Sequence, residues 1–356
     1  MRILVMGYGK IGRTIADLLH SAERYQISIA ESNSTALAQA ATQGLTTHVV
    51  DVTDAASMAR ALTNQDIVVN ALPHFLNERL AKAAVQAGVH YFDLSEDVAT
   101  TKLAKELAQS ARTALMPQCG LAPGFIAVAA YDLAKRFDTL ENVMCRVGAL
   151  PVYPTNALKY NLTWSTDGLI NEYCMPCEVI LDNERREVLP LEGLETFSLD
   201  GVEYECFNTS GGIGSLCDTL LGKAKSVTYK TIRYPGHCAL ARVLINELKL
   251  GNKRQILRDI LEDAIPTTLQ DKVIVFASVT GRKDGRLVQD TFTRTIYSQN
   301  YIGQQRSAIQ IATAAGICSA IELFCNGRLP QRGFIRQEDM QLEDVLATRF
   351  GQVYSG

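Results

Sequence analysis

The sequence predicts an α/β protein: a Rossmann-type, doubly wound parallel sheet followed by a second, mixed α+β domain. Three features lead to this. Apolar strand-like runs alternate with helical patterns up to Gly124, and such alternation builds a parallel sheet. Gly7, Gly9 and Gly12 stand at G-x-G-x-x-G spacing between the first strand and the first helix. After Gly124 the segments become short, β-branched and broken by Pro, Gly and Asn, the texture of an antiparallel domain.

Ile3, Leu4 and Val5 read as a buried strand, and Ile11, Ile15, Leu18 and Leu19 then recur at helical spacing. In that setting the glycines have a mechanism. Gly7 permits the tight turn, Gly9 lets the backbone approach a pyrophosphate, and Gly12 lets the helix pack closely on the strand. The helix start adds N–H groups and a dipole that favour phosphate. Gly7, Tyr8, Gly9, Lys10, Ile11 and Gly12 are therefore the expected dinucleotide cradle. Residues 26–30 form the second strand, and Glu31 stands 19 positions beyond Gly12. An acid there accepts from the ribose hydroxyls and repels a 2′-phosphate. Ser32 follows, with no Arg beside it, so the expected cofactor is NAD, with NADP as the alternative.

Residues 48–50 are a short third strand, with Asp51 and Val52 at the expected adenine edge; Thr53 is the expected cap of the next helix. The fourth strand, from Asp66, runs into Ala71, Leu72 and Pro73 at the carboxyl end of the sheet, where open α/β folds bind ligands. A helix from Asn77 stops at Gly88. Residues 90–94 are the fifth strand, with Ser95, Glu96 and Asp97 in its loop, and residues 114–117 the sixth. Beyond Gly124 come an apolar helix over 126–137 and strands at 179–181, 203–206, 273–277 and 291–297, the last two joined by a turn within 281–286. Near Ser307 a helical pattern returns through Ile311, Ala314, Ala315, Cys318 and Ile321. The expected organisation is a dinucleotide domain over 1–124, a second domain over 125–304, and a helical return over 305–356 onto the first. Two crossings of this kind leave a cleft between domains.

The chain has 356 residues, 47% hydrophobic and 21% charged, with a net charge of -3. That balance argues against nucleic acid as a partner. Nine scattered cysteines and a strand beginning at residue 3 suggest reduced thiols, no secretory leader and a cytoplasmic protein. The apolar run 311–321 is short for a bilayer span, so no membrane association is expected. Cys174 and Cys177 form a C-x-x-C without a second ligand pair, so no metal is expected. Hydrolase, zincin and Walker motifs are missing from the sequence.

Several stretches carry a family resemblance: residues 164–173 (WSTDGLINEY), 208–214 (NTSGGIG), 230–237 (KTIRYPGH) and 333–339 (GFIRQED), together with 120–124 (GLAPG) and the amino-terminal fingerprint. In order and over nearly the whole chain, they resemble the saccharopine dehydrogenase family, in particular its lysine 6-dehydrogenase-like members. The resemblance implies a Rossmann domain, a substrate domain that also mediates homodimerisation, and NAD(P)-linked oxidation at a carbon–nitrogen bond of a small amino acid. L-Lysine and saccharopine are the implied substrates. The loop Ser95-Glu96-Asp97 is shorter than in lysine 6-dehydrogenases. That departure leaves room for a reductive condensation of an aldehyde with a diamine, as in carboxynorspermidine synthase relatives. A non-catalytic NAD(H) sensor is the reading from another class.

Such a reaction needs a grip on the substrate carboxylate and a proton acceptor for its amine. Arg233, within a matching substrate-binding motif with Thr231, is the expected carboxylate anchor, since a guanidinium binds a carboxylate through two parallel hydrogen bonds. Thr209 and Ser210 are uncharged donors for the same end, and Trp164 is a wall residue. Glu96 would hold the ammonium or act as base. Asp97, His74 and His237 are the expected proton-transfer residues. Lys230 would serve as a base only if burial lowered its pKa, and Cys119 reads as packing.

Overall fold

Four consecutive apolar side chains, Ile3, Leu4, Val5 and Met6, are fully buried, as suits β1 (Arg2–Met6), an interior strand of the first sheet. The computed structural model describes residues 1–355 and divides into two units, Met1–Gly124 with Gln310–Ser355, and Phe125–Ile309.

In the first unit the chain alternates β1, α1 (Lys10–Ser21), β2 (Gln26–Glu31), α2 (Ser34–Thr42), β3 (Thr46–Val49), α3 (Ala55–Leu62), β4 (Ile67–Asn70), α4 (Asn77–Ala87), β5 (His90–Asp93), α5 (Val98–Ala108) and β6 (Ala114–Met116). These strands pair in the order β6-β5-β4-β1-β2-β3, all parallel. Strand order reverses between β2 and β4 on either side of β1. That switch point opens a crevice at the carboxyl ends of the strands, where doubly wound sheets take ligands. Gly88 ends α4 with φ +68°, a left-handed cap that glycine adopts without strain. Thr53 is not the cap of α3. It gives its N–H and hydroxyl to Asp51, and Asp54 instead accepts the N–H groups of Ala56 and Ser57. Two adjacent residues both suited to capping cannot be ranked by sequence.

The second unit begins with α6 (Phe125–Ala134) and is built on β7 (Thr139–Pro151). After it come α7 (Thr166–Cys174), β8 (Cys177–Leu181), β9 (Glu184–Val188), β10 (Glu195–Leu199), β11 (Val202–Asn208), α8 (Leu216–Leu220) and β12 (Ala224–Arg233). Then follow α9 (His237–Arg242), α10 (Arg254–Ala264), β13 (Asp271–Lys283), β14 (Arg286–Tyr297) and the short β15 (Gln299–Tyr301) and β16 (Gln304–Arg306). The main path is β10-β11-β12-β7-β13-β14, with β8 and β9 branching from β12. The sheet is not purely antiparallel as expected: β12 runs parallel to β7 from Ala224 to Thr231. Alternating patterning identifies a strand but says nothing of its neighbour or direction. Asp284 and Gly285, both at positive φ, make the tight β13–β14 turn, as an Asp-Gly pair should.

The last elements are α11 (Ala308–Cys325), β17 (Gly333–Phe334) and α12 (Leu342–Ala347). β17 pairs parallel with β6 and adds a seventh strand to the first sheet. By length and composition α11 could cross a membrane, with 18 residues and a mean hydropathy of 1.6, but 72% of it is buried within the protein. The apolar run 311–321 understated it, because the helix starts earlier and continues past Glu322. Its first turn is capped by buried Asp271, which accepts from the N–H groups of Ala308 and Ile309 at 2.5 and 3.1 Å.

Candidate active site

The turn between β1 and α1 is shaped by the absence of side chains. A Cβ on Gly12 would lie 2.1 Å from the Gly7 carbonyl oxygen, and one on Gly7 would lie 2.8 Å from that of Ala71. Gly9, by contrast, faces open space. It caps α1 without any side-chain bond to the first N–H groups, and no acid stands in the first turn. Uncapped N–H groups beside open space fit a pyrophosphate. Lys10 is exposed and Ile11 half-buried at that helix start, and Tyr8 is buried.

Glu31 sits at the tip of β2, facing this turn. Its Oε2 accepts from the Tyr8 N–H at 2.9 Å, and its Oε1 accepts from the N–H groups of Ser32 and Asn33 and weakly from the Ser32 hydroxyl. Burial pushes its pKa up, but these bonds outweigh it and hold the carboxyl below its ordinary value. The bonds occupy Oε1 and leave Oε2 room for a ribose hydroxyl. Arg13, one turn along α1, lies over the Tyr8 ring and reaches Gln39 on α2, while its Nε is buried without a partner. Its place on α1, not beside Ser32, keeps it outside the position where an Arg is expected after the second strand. Asp51 is exposed and turned onto Thr53, and Val52 is half-buried.

The carboxyl ends of β4, β5 and β6 are tied by a buried polar chain. The Asn70 amide donates to Asn77 and to the Tyr91 hydroxyl, and Tyr91 donates to Asp93 at 2.8 Å. Asp93 also accepts from the N–H groups of Ser95 and Gln118, both at 2.9 Å. Burial nonetheless raises its pKa to about 6. Asn70 also accepts from the Leu72 N–H, fixing the Ala71-Leu72-Pro73 segment. His74 is half-buried just beyond, edge-on to exposed Phe75.

Asp97 and Glu96 separate here. Asp97 caps α5: its Oδ2 accepts from the N–H and the hydroxyl of Thr100 at 2.7 and 2.8 Å. That bonding gives Asp97 a structural task at the helix start, apart from the expected proton transfer. Half-buried Glu96 has its own backbone N–H as a hydrogen-bond partner for its carboxylate and caps no helix. Burial, opposed by its own N–H and reinforced by Asp97 and Asp93, raises its pKa to about 7. Gln118, unforeseen, follows β6 at φ +63° with its Oε1 buried and unpaired. A strained non-glycine residue with an orphaned acceptor is a mark of functional sites. No pattern in the sequence announces it. Cys119 is buried with its thiol pKa well above the ordinary value, so it stays protonated and packs.

In the second unit Arg233, the last residue of β12, is 3% exposed. Its Nε donates to the Tyr173 hydroxyl and its Nη1 to the Ile232 carbonyl, each at 2.9 Å. Its guanidinium lies 4.9 Å from the centre of the Tyr160 ring. No carboxylate is within ion-pair distance among the described residues. Burial lowers its pKa, but Tyr173, Tyr160 and Glu172 more than offset this and hold it charged. Glu172 acts on it only through its charge, and a buried guanidinium with no carboxylate bonded to it is costly unless an anion completes it.

The other candidates in this unit divide. Thr209 is 2% exposed with its hydroxyl oxygen unpaired. Ser210 gives its hydroxyl to the Pro176 carbonyl at 2.8 Å, and Thr231 lies buried against the Val147 carbonyl; both donors are spent inside the protein. Trp164 donates to the Tyr160 hydroxyl at 2.9 Å. Lys230 bonds the Gly193 carbonyl and pairs with Glu195, so its Nζ is engaged inside the protein. His237 is buried, and burial and the Arg233 charge lower its pKa to about 3. It cannot titrate near neutrality, which corrects the proton-relay expectation. Tyr160 and Tyr173 were not foreseen as site residues, because a buried tyrosine carries no pattern in the sequence that separates it from core.

Comparison with known proteins agrees with this construction. The family model for the saccharopine dehydrogenase NADP binding domain matches residues 3–117, and that for the saccharopine dehydrogenase C-terminal domain matches residues 120–352. The chain belongs to the saccharopine dehydrogenase family. It is 24% identical over 272 residues to mitochondrial alpha-aminoadipic semialdehyde synthase of Rattus norvegicus, covering 70% of this chain and 28% of that protein. It is 22% identical over 296 residues to the NADP(+), L-glutamate-forming saccharopine dehydrogenase of Saccharomyces cerevisiae, covering 79% of this chain and 65% of that protein. The chain thus spans less than two thirds of the curated relatives it matches. The apo structure of that Saccharomyces cerevisiae enzyme has the same fold, with a TM-score of 0.79 at 16% identity over 97% of this chain and 95% of that one.

Proposed function

We propose that this chain is an NAD(P)-dependent oxidoreductase acting on the carbon–nitrogen bond of an amino acid, with saccharopine as the first substrate to test and L-lysine as the second. The observation that carries this is Arg233, a buried guanidinium whose charge has no carboxylate of its own. It supplies the grip on the substrate acid group, with Thr209 as an uncharged donor in the same unit. The glycine turn supplies the dinucleotide cradle. A nicotinamide ring held there would accept or return hydride. Glu96 is the proton acceptor for the substrate amine: its raised pKa gives both protonation states near neutrality, as general acid–base work requires. His74 is a second candidate at the end of β4. A homodimer formed through the second unit remains part of the reading, by family resemblance.

NAD is favoured by the carboxylate of Glu31. Arg13 favours NADP as the second reading, because its unpaired Nε and its stacking on Tyr8 put a cation one turn beyond the glycine turn. Titration of intrinsic NAD(P)H fluorescence decides between them. Tighter NADPH binding that is lost in Arg13→Ala supports NADP, and unchanged binding supports NAD. Absorbance at the reduced-nicotinamide band, with saccharopine, lysine and an amino-acid panel, tests the activity. Cofactor binding without turnover on any amine would leave only the sensor reading.

A further inference from the structure

Two buried residues behind Arg233 decide how its guanidinium is held. The His237 Nδ1 lies 2.7 Å from the Leu158 carbonyl oxygen, which can only accept, so Nδ1 carries the ring proton. The neutral ring then presents a lone pair at Nε2, 2.9 Å from the Tyr173 hydroxyl, and Tyr173 must donate to it. With its proton committed, the Tyr173 oxygen is left as an acceptor, and it receives Nε–H of Arg233 at 2.9 Å. Each bond direction follows from the one before. The ring of His237 is held by Phe207, stacked at an interplanar angle of 11°, and by the edges of Tyr160 and Tyr173. With Nε and one Nη1 hydrogen used, the remaining three of five guanidinium N–H donors all sit on the two terminal nitrogens.

We propose that His237 is a positioning residue for the substrate carboxylate, acting through the Tyr173 hydroxyl to orient Arg233 so that its terminal nitrogens are left for the ligand. This rests on the reading of Arg233 as the carboxylate anchor. A protonated His237 would have no lone pair for Tyr173 and would set a second positive charge against Arg233; the low pKa of about 3 keeps the ring neutral across the working range. The arrangement also fixes what Tyr173 cannot do: its only proton is engaged, so it is not a donor to substrate.

The test uses the full chain with saturating cofactor and saccharopine. His237→Phe keeps the ring and removes both polar atoms; His237→Gln restores one donor and one acceptor; Tyr173→Phe removes the link. The expected result is a rise of about tenfold in KM for His237→Phe and Tyr173→Phe, with kcat within about twofold and NAD(P)H affinity unchanged, and with partial recovery in His237→Gln. An unchanged KM in folded His237→Phe or Tyr173→Phe overturns the proposal, and so does a loss carried by kcat alone. If Arg233→Met also leaves KM unchanged, it is the anchor reading that fails. Should the variants not fold, nitrogen NMR of the histidine-labelled wild-type protein still decides. A neutral ring protonated at Nδ1 and unresponsive between pH 5 and 8 is expected; a ring protonated at Nε2, or one that titrates in that range, overturns it.

Discussion

The first unit prepares for an anion with backbone, the second with a side chain. At the β1–α1 turn the donors are helix-start N–H groups, and the sequence contributes mainly by withholding Cβ atoms at Gly7 and Gly12. At the end of β12 the donor is one guanidinium, aimed by side chains from distant parts of the chain: Tyr160, Tyr173 and His237. A backbone cradle is complete once the local turn forms. A side-chain anchor is complete only when several separated segments pack.

Substitutions should therefore act differently in the two units, and the sharpest exception is expected at Glu96. Glu96→Gln should lower kcat/KM by about 10²–10⁴, the range for loss of a general base. Its active form is the ionised one, so the wild-type kcat/KM should rise with pH up to about 7 and level off above it. A steady-state pH profile that is flat from pH 5 to 9 would remove Glu96 from the proton transfer.

Arg233→Met comes next and tests the side-chain half of the contrast. Losing a charge-assisted bond pair costs about 1.5–3 kcal/mol. KM for a carboxylate substrate should rise about tenfold to a hundredfold, with cofactor titrations unaltered. Equal losses in both bindings would mean that the residue supports the fold rather than the ligand.

Gly12→Ala tests the backbone half. The added carbon would meet the Gly7 carbonyl at 2.1 Å, and overpacking of this kind costs about 1–3 kcal/mol. Thermal unfolding should show the loss, and NAD(P)H affinity should fall with it, since the helix start can no longer approach the strand. Lys10→Ala, at an exposed position of the same turn, should change neither by much. If Lys10→Ala is the more damaging, a side chain and not backbone holds the phosphate.

The smallest effect belongs to Asp97→Ala. Removing the α5 cap should cost about 1 kcal/mol of stability, read by denaturant unfolding, while kcat stays within about twofold. A large loss of kcat would return Asp97 to the chemistry.

The degree to which each part was legible in the sequence follows the same division. The glycine turn, Glu31 at its place beyond it and the strand–helix alternation are short-range patterns, and the structure builds each where the pattern stands. The division of work between Glu96 and Asp97 was not legible. Both are loop carboxylates in the sequence, and only the start of α5 makes one a cap and leaves the other outside the helix. His237 and Lys230 misled for the same reason: their partners, Leu158 and Tyr173 for one, Gly193 and Glu195 for the other, lie 30 to 80 residues away in the chain.

By itself the sequence determined the doubly wound sheet, the cradle at its first turn and the family, because periodicity and glycine spacing act over a few residues. Tertiary structure decided the parallel pairing of β7 with β12, the seventh strand supplied by β17, and the protonation and direction of every bond around Arg233. Those depend on which side chains share a buried volume, and burial is a property of the assembled fold, not of any one segment.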